Sequence, residues 1–288
     1  MKTKAAHTNI NKKGELYNLF LKLKYRSIKH TNFFYIYENL LNKFRDKKKK
    51  ITIVEIGIAC GGSLFMWRDY FKGKARVIGI DFNPDETRWK KHGFEIFIGN
   101  QSDPNFWDSF FNEIGKIDIL IDDGGHTNEQ QIQTFINCYK HINDNGIMVF
   151  EDTHASYLKE FGNPSKYSFI NFCKLLVDKQ NIKSLKNFIS FNYVDRIFKV
   201  EFYQSLVVMH FDKDKAEKSD SISNNGIIIN SEDYRLRDVK FFSILEKIKK
   251  TLRNFFGDKI YNLIKKIYPE FLYIIFKFKN LKNKRYFK

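Results

Sequence analysis

Cysteine is scarce in this chain of 288 residues, which contains Cys60, Cys138 and Cys173 far apart in the sequence. No two of them have the short spacing of a metal-binding pair, and an odd, dispersed set does not indicate a disulfide framework. We therefore expect no cysteine-based metal site, and we expect a reducing, cytoplasmic environment.

Long apolar runs are also missing. No stretch approaches the roughly 18 consecutive apolar residues of a transmembrane helix, and the longest run near the C-terminal end covers only residues 271–276. Residues 1–13 are polar and basic, without the apolar centre of a signal peptide. The sequence thus predicts neither a membrane-spanning helix nor a secretory leader.

Positive charge is abundant and uneven. The net charge is +17, and residues 240–288 carry 14 lysines and arginines against three acidic residues. Such a segment attracts nucleic acid, anionic lipid or an acidic partner. A sequence rich in Lys, Asn, Ile and Phe throughout is equally typical of an AT-rich genome, so both explanations stay open.

Three regions are predicted along the chain. Residues 1–50 form a helical cap, because residues 14–47 have apolar positions at spacings of three and four, with a second helix from about residue 33 to residue 44. Residues 51–212 form the main domain. Residues 213–288 form a loop and a basic amphipathic helical tail, from about residue 241. We expect the tail to pack on the protein's own core, with peripheral contact at the inner membrane surface as the alternative.

The main domain alternates short apolar runs with segments long enough for crossover helices. Runs of this kind are typical of strands that are buried on both faces of a parallel sheet. The alternation predicts an α/β fold with a Rossmann-like, doubly wound, mostly parallel seven-stranded sheet, closed by an antiparallel strand within residues 198–211. The predicted parallel strands cover residues 51–56, 76–80, 94–98, 117–121 and 146–150, and the helices between them cover residues 63–70, 84–91, 104–114 and 128–141.

A glycine-containing loop follows the first predicted strand. Glu55 and Gly57 are followed by Gly61, Gly62 and Ser63. Glycine permits positive φ and close approach of a ligand to the backbone. The spacing does not fit the GxGxxG pattern of dinucleotide-binding folds.

An acid at the end of the second strand strengthens this signal. The carboxylate of Asp81 can accept both ribose hydroxyls of a nucleoside cofactor, although it could instead cap the helix that begins near Pro84. Gln101 and Ser102 follow the third strand, where polar side chains lie beside an adenine. The alternative for Ser102 or Asp103 is a helix N-cap. Since the loop and the acid occur together, we favour a nucleoside site.

Acids and histidines also collect after the fourth and fifth strands. Like charges at neighbouring strand ends repel, and burying them unpaired is costly. A divalent cation would balance them, and oxygen ligands favour Mg²⁺, with Mn²⁺ or Ca²⁺ as alternatives. The acids could instead cap helices or contact a cofactor amine. The residues concerned are Asp122, Asp123, His126, Glu151, Asp152 and His154.

Taken together, these motifs resemble the macrocin- and mycinamicin-type sugar O-methyltransferases, which are class I S-adenosylmethionine (SAM)-dependent enzymes with cephalosporin hydroxylase-like relatives. The resemblance covers about residues 30–212 and rests on residues 55–67, 122–126 and 151–157. It implies that SAM is the cofactor. The residues implied to bind it are Glu55, Gly57, Gly61, Ser63, Asp81, Gln101, Ser102 and Asp122.

The resemblance further implies Mg²⁺ held by Asp123, Glu151 and Asp152, with His126 as the general base. Coordination lowers the pKa of a sugar hydroxyl, the imidazole removes its proton, and the oxygen attacks the sulfonium methyl in line. A vicinal diol could chelate the cation, so we predict a diol-bearing sugar of a surface glycan, sugar nucleotide or glycosylated natural product.

Two positions depart from the family pattern, and two other functions compete. Gly125 replaces a usual serine, which puts the rigidity of the loop in doubt, and Asn100 replaces a usual aspartate, which puts the affinity for the cofactor in doubt.

A nucleic-acid methyltransferase fits the positive charge, but that charge lies in the tail, so we expect no nucleic-acid partner. A non-catalytic SAM-fold binding protein is disfavoured because the predicted metal ligands and base are present. The N-terminal helices could form a homo-oligomer interface.

Overall fold

The computed structural model describes residues 14–45, 50–163, 165–183, 193–217, 219–227 and 229, and scattered positions from 247 to 286. The chain divides into two compact units, the first ending at Ser221 and the second beginning at Ile222. Apart from three residues, the amphipathic helix predicted for residues 241–267 lies outside the described residues. No helix in the described part combines the length and apolar character needed to cross a membrane.

The first unit is built on a seven-stranded sheet with the order β3-β2-β1-β4-β5-β7-β6. Strands β1 to β5 are parallel, β7 is antiparallel to β5, and β6 is antiparallel to β7. This confirms the predicted doubly wound sheet and its antiparallel closure. The strands are β1 Ile51–Ile56, β2 Ala75–Asp81, β3 Glu95–Ile98, β4 Ile117–Asp122, β5 Ile142–Glu151, β6 Ile197–Tyr203 and β7 Leu206–Phe211.

Helices cover both faces of the sheet. Successive strand residues point to opposite sides, so Ile53 belongs to the apolar cluster shared with α1 to α3, and Val54 belongs to the cluster shared with α4 to α6. The segment predicted as a helix at residues 84–91 forms a 3-10 helix. The helices are α1 Glu15–Leu21, α2 Thr31–Arg45, α3 Gly62–Tyr70, α4 Pro104–Ile114, α5 Asn128–Cys138 and α6 Phe169–Ile182, and the 3-10 helices are Pro84–His92, Tyr139–His141, Thr153–Tyr157, Lys159–Phe161 and Lys282–Tyr286.

Between α1 and α2, residues 22–30 form a non-helical linker that crosses the carboxyl end of the sheet. Its backbone lies against Gly62, where an added Cβ would be 2.5 Å from the carbonyl oxygen of Tyr25 and 2.6 Å from that of Arg26. The prediction that residues 14–47 are helical is therefore wrong for this interval. Close packing of the linker on α3 replaces a local helix, and it brings Lys29 and His30 to the strand ends.

Helix α2 anchors the end of this linker. Phe33, Tyr37, Leu41 and Phe44 are each at most 2% exposed. Burying a side chain of this size stabilises a fold by roughly 1.5–3 kcal/mol. The same face of α2 thus holds the helix on the sheet and carries the Tyr37 hydroxyl to the carboxyl end of β5.

Candidate active site

The glycine loop after β1 has the backbone that the sequence indicates. Gly57 and Gly61 have φ values of +81° and +71°, which favour glycine. A Cβ at Gly57 would lie 2.1 Å from the carbonyl oxygen of Asp123, and one at Gly61 would lie 2.3 Å from the ring of Trp89. The loop therefore packs directly on the residues after β4 and on the 3-10 helix after β2.

Asp81, at the end of β2, fixes this loop. One carboxylate oxygen accepts hydrogen bonds from the backbone amides of Ile58 and Ala59, at 3.0 and 3.1 Å, and the other accepts one from the amide of Asn83 at 2.9 Å. The alternative that Asp81 caps the following helix is wrong, because Asn83 is the N-cap. Asp81 also lines a cavity beside the ends of β2 and β3, in keeping with the predicted ribose role.

Two adjoining cavities border the loop. One, of about 440 Å³, extends past the ends of β2 and β3, and its wall includes Phe82 and Asn100. The other, of about 370 Å³, lies beneath the linker and is lined by Ser63 and Asp152. Asp123 lines both cavities, as do loop residues. A cleft of this size suits a small organic ligand with a polar end.

Gln101 connects the ends of β3 and β4. Its amide nitrogen donates to both oxygens of Asp122 and to the hydroxyl of Thr134, each at 3.1 Å, and its carbonyl accepts from the amide of Gly125 at 3.1 Å. Asp122 is fully buried, which raises its pKa against the effect of these hydrogen bonds. Neither Asp122 nor Ser102 lines the two cavities. Their direct contact with the cofactor stays a prediction, and the geometry gives Asp122 a supporting position.

Lys29 is the centre of the acidic cluster. Its ammonium lies 2.6 Å from Oδ2 of Asp123, 2.8 Å from Oε1 of Glu151 and 3.5 Å from Oε1 of Glu55, and its side chain is 1% exposed. Burial alone would lower the pKa of Lys29. The three carboxylates outweigh that effect and raise the pKa well above its usual value, so the side chain remains an ammonium ion.

The buried carboxylates carry further hydrogen bonds. Ser63 donates its hydroxyl to Glu55 at 2.6 Å, and Tyr37 donates to Oε1 of Glu151 at 2.5 Å. Burial raises the pKa of Glu55, and the Lys29 charge opposes the rise. Burial also raises the pKa of Glu151 to about 8, again opposed by Lys29. One ammonium therefore does not suffice to keep Glu151 ionised at neutral pH.

His126 and Asp152 complete the cluster on strained backbone. Their φ values are +58° and +51°, which are uncommon for residues other than glycine and which often mark functional sites. Nε2 of His126 lies 3.5 Å from Oδ2 of Asp152 and 4.0 Å from Oδ1 of Asp123. Buried Nδ1 of His126 and Oδ1 of Asp152 have no hydrogen-bond partner. The atoms that face one another here are Nε2 of His126, Oδ1 of Asp123 and Oδ2 of Asp152, and this oxygen-rich donor set is one that a cation would complete.

The structure thus brings together Asp123, Asp152 and His126 with atoms close enough to share one metal ion. Glu151 lies beside Asp123 on the other side of the Lys29 ammonium. The assignment of Glu151 as a third ligand stays a prediction.

Reasoning from sequence assigned no site role to Lys29, Tyr37 or Phe82, although Tyr37 lies within the stretch that resembles the family. The first two come from the N-terminal segment, and only tertiary packing places them at the sheet. Phe82 is 76% exposed beside the larger cavity, and its position directly after Asp81 is the signal that could have identified it.

Comparison with known proteins agrees with this geometry. A family model described as a methyltransferase domain matches residues 54–153. The chain is 34% identical over 152 residues to an 8-demethyl-8-alpha-L-rhamnosyl tetracenomycin-C 2'-O-methyltransferase of Streptomyces olivaceus, covering 49% of this chain and 39% of the relative. It is 29% identical over 152 residues to demethylmacrocin O-methyltransferase of Streptomyces fradiae, covering 50% and 38%. The chain therefore spans less than two fifths of the length of these relatives.

Among solved structures, the mycinamycin-pathway methyltransferase MycE, in complex with Mg and SAH, has a TM-score of 0.63 and 22% identity, covering 74% of this chain and 58% of that one. A complex of MycE with Mg, SAH and mycinamycin VI has the same TM-score and identity, covering 74% and 56%. At this identity the likeness shows a shared fold, in agreement with the sheet order.

Proposed function

We propose that this chain is a SAM-dependent O-methyltransferase that methylates a sugar hydroxyl with the help of a divalent cation, since residues 54–153 match a methyltransferase-domain family model. One observation carries the proposal. Asp123 and Asp152 flank Nε2 of His126 beside the cavity that the glycine loop lines. Further support comes from the matched relatives, whose names describe O-methyltransferases of glycosylated compounds.

The residues around the loop suit SAM. Asp81 and Phe82 offer a carboxylate and an exposed ring to the nucleoside at the larger cavity. The glycine loop provides close backbone approach for the methionine part. Contact of Glu55 with the methionine amine stays a prediction, because Glu55 is fully buried and lines neither cavity. Gln101 holds the β4 loop in place.

The residues around His126 suit Mg²⁺, which we assign to Asp123, Glu151 and Asp152. Their oxygens are the ligand type that Mg²⁺ prefers. Asp123, Glu151 and Glu55 share the single ammonium of Lys29, and Asp152 lies against His126. This excess of carboxyl groups over cations favours a divalent ion. When bound, Mg²⁺ supplies Lewis-acid polarisation of the acceptor hydroxyl.

His126 removes the proton of that hydroxyl in the proposed reaction. Nε2 is the nitrogen within reach of both aspartates, and the strained backbone keeps the ring at this point. The hydroxyl oxygen forms a bond to the methyl carbon as the carbon–sulfur bond breaks, which leaves S-adenosylhomocysteine (SAH) and a protonated imidazole. Positioning of the two reactants is the main contribution of such a site. A sugar with a vicinal diol is the proposed acceptor.

The test is to incubate the full chain with SAM and a panel of sugar nucleotides and rhamnosylated compounds, and to measure SAH formation. We expect turnover that EDTA abolishes and that added Mg²⁺ restores. Asp123→Asn should lose Mg²⁺ binding in calorimetry, whereas His126→Ala should retain SAH binding and lose turnover. Turnover that is unchanged in EDTA would remove the metal from the proposal, and full activity of His126→Ala would remove the base.

A further inference from the structure

A second group of potential metal ligands lies on the outer side of Asp152. His30, Asp152 and His154 each offer one atom, and these atoms all lie within 4.8 Å of one another. Oδ1 of Asp152 is 3.2 Å from Nε2 of His30 and 3.9 Å from Nδ1 of His154. We call these three residues the His–Asp–His cluster.

The two oxygens of Asp152 serve different neighbours. Oδ2 faces His126, whereas Oδ1 faces His30 and His154. The amide of Thr153 donates to the carbonyl oxygen of Ser205 at 3.2 Å, which ties the turn after β5 to the β6–β7 hairpin. The carboxylate is therefore held between two groups, and its outer oxygen is not used by the proposed methyl transfer.

Two atoms of the cluster are buried without a hydrogen bond, Oδ1 of Asp152 and Nδ1 of His154. Buried polar atoms normally find a hydrogen-bond partner. Here Oδ1 has only the ion-pair contact with Nε2 of His30, and Nδ1 of His154 forms no hydrogen bond, so both facing atoms lack such a partner. A cation between these two atoms would coordinate both of them and so give each a partner. A small cavity of about 100 Å³, lined by His30, Asp152 and Glu151, adjoins the cluster and leaves room for water.

We propose that the His–Asp–His cluster is a second cation site, one that takes a nitrogen-preferring divalent metal such as Zn²⁺. Two imidazole nitrogens and one carboxylate oxygen are a donor set typical of Zn²⁺ with an open fourth position, and Mg²⁺ prefers oxygen ligands. The side chains of His30 and His154 are 50% and 43% exposed, so the metal can exchange with solvent. The site does not depend on the proposed function, because it is defined by binding alone.

The test uses Co²⁺ as a spectroscopic substitute for Zn²⁺, titrated into the full chain in the presence of excess Mg²⁺ to occupy oxygen-rich sites. We expect one equivalent of Co²⁺ to bind with visible absorption bands of nitrogen coordination, and Zn²⁺ to displace it. His30→Ala and His154→Ala should each weaken Co²⁺ binding by more than about tenfold. His92→Ala, which removes a histidine from another cavity, should bind like wild type.

His126→Ala distinguishes this cluster from the proposed catalytic group, which also contains an imidazole. Retained Co²⁺ binding in that variant supports the second site. Loss of binding in His126→Ala, with full binding in His30→Ala and His154→Ala, would overturn it and assign the Co²⁺ to the catalytic group. Thermal unfolding of each variant shows that a lost signal does not come from a lost fold.

Discussion

Replacing Lys29 by methionine removes an ammonium that contacts three carboxylates at once, and it keeps most of the apolar part of the side chain. The ammonium is almost fully buried against Asp123, Glu151 and Glu55. Removing one partner of a buried ion pair typically costs about 3–5 kcal/mol, because a charge remains without compensation. We expect Lys29→Met to lower the free energy of unfolding of the metal-free protein by about this amount near pH 8.

The pH dependence follows from the raised pKa of Glu151, which shifts from 4.5 to about 8 on folding. A group whose pKa is raised on folding contributes stability below its unfolded pKa, and this contribution is lost as the pH rises through the folded pKa. The free energy of unfolding of the metal-free protein should therefore fall between about pH 4.5 and pH 8. Lys29→Met should extend the fall to higher pH, because the Lys29 charge opposes the rise of this pKa.

Denaturant unfolding at pH 6 and pH 8, with and without Mg²⁺, measures both effects. A ligand at 100 times its Kd stabilises the folded state by about 2.7 kcal/mol, so Mg²⁺ should recover part of the loss if it binds the same carboxylates. Lys74→Met, at an exposed position, is the matched control and should change stability little. If Lys29→Met without Mg²⁺ at pH 8 is as stable as wild type, the ammonium does not neutralise the cluster.

Three further predictions concern the cleft. Gly57→Ala should abolish SAH binding in calorimetry and lower the melting temperature more than Gly73→Ala, because both glycines have positive φ but a Cβ at Gly73 meets nothing within 4 Å. Equal effects of the two substitutions would contradict the close packing of the loop. Phe82→Ala should weaken SAH binding about tenfold, which is the order of one lost aromatic contact, with an unchanged melting temperature because the ring is exposed. Tyr37→Phe should cost about 1–3 kcal/mol in chemical denaturation, because it removes a hydrogen bond to a buried carboxyl oxygen of Glu151. A neutral result would show that another donor replaces the hydroxyl.

The sheet and the loop residues could be predicted from sequence because each depends on local pattern. Apolar runs of strand length fix β1 to β5, and positive φ requires glycine at positions such as Gly57. Lys29 could not be predicted in this way. Its position depends on the linker packing on Gly62, a contact between segments far apart in sequence. Local periodicity instead favoured a helix there.

Local sequence pattern does not distinguish the adjacent acids at the strand ends, and only the family resemblance gave Asp122 and Asp123 different roles. Asp122 and Asp123 look alike in sequence, yet one is fully buried against Gln101 and the other lines the cleft. Glu151 and Asp152 divide in the same way, with Glu151 buried and Asp152 turned outward by its positive φ. Which member of a pair faces a ligand depends on the exact end of the strand, and sequence patterns place that boundary only approximately.

The difference between buried and outward-facing acids also explains why a divalent cation fits the site better than a second lysine would. The buried members already have partners, since Asp122 accepts from an amide and Oε1 of Glu151 accepts from Lys29 and Tyr37, so that only the other oxygen of Glu151 is assigned to the proposed ion. The outward members, Asp123 and Asp152, keep oxygens directed to the open side beside His126. An ammonium there would satisfy the charge but would block the space in front of the imidazole. A metal ion satisfies the charge and still has coordination positions for the oxygens of an acceptor.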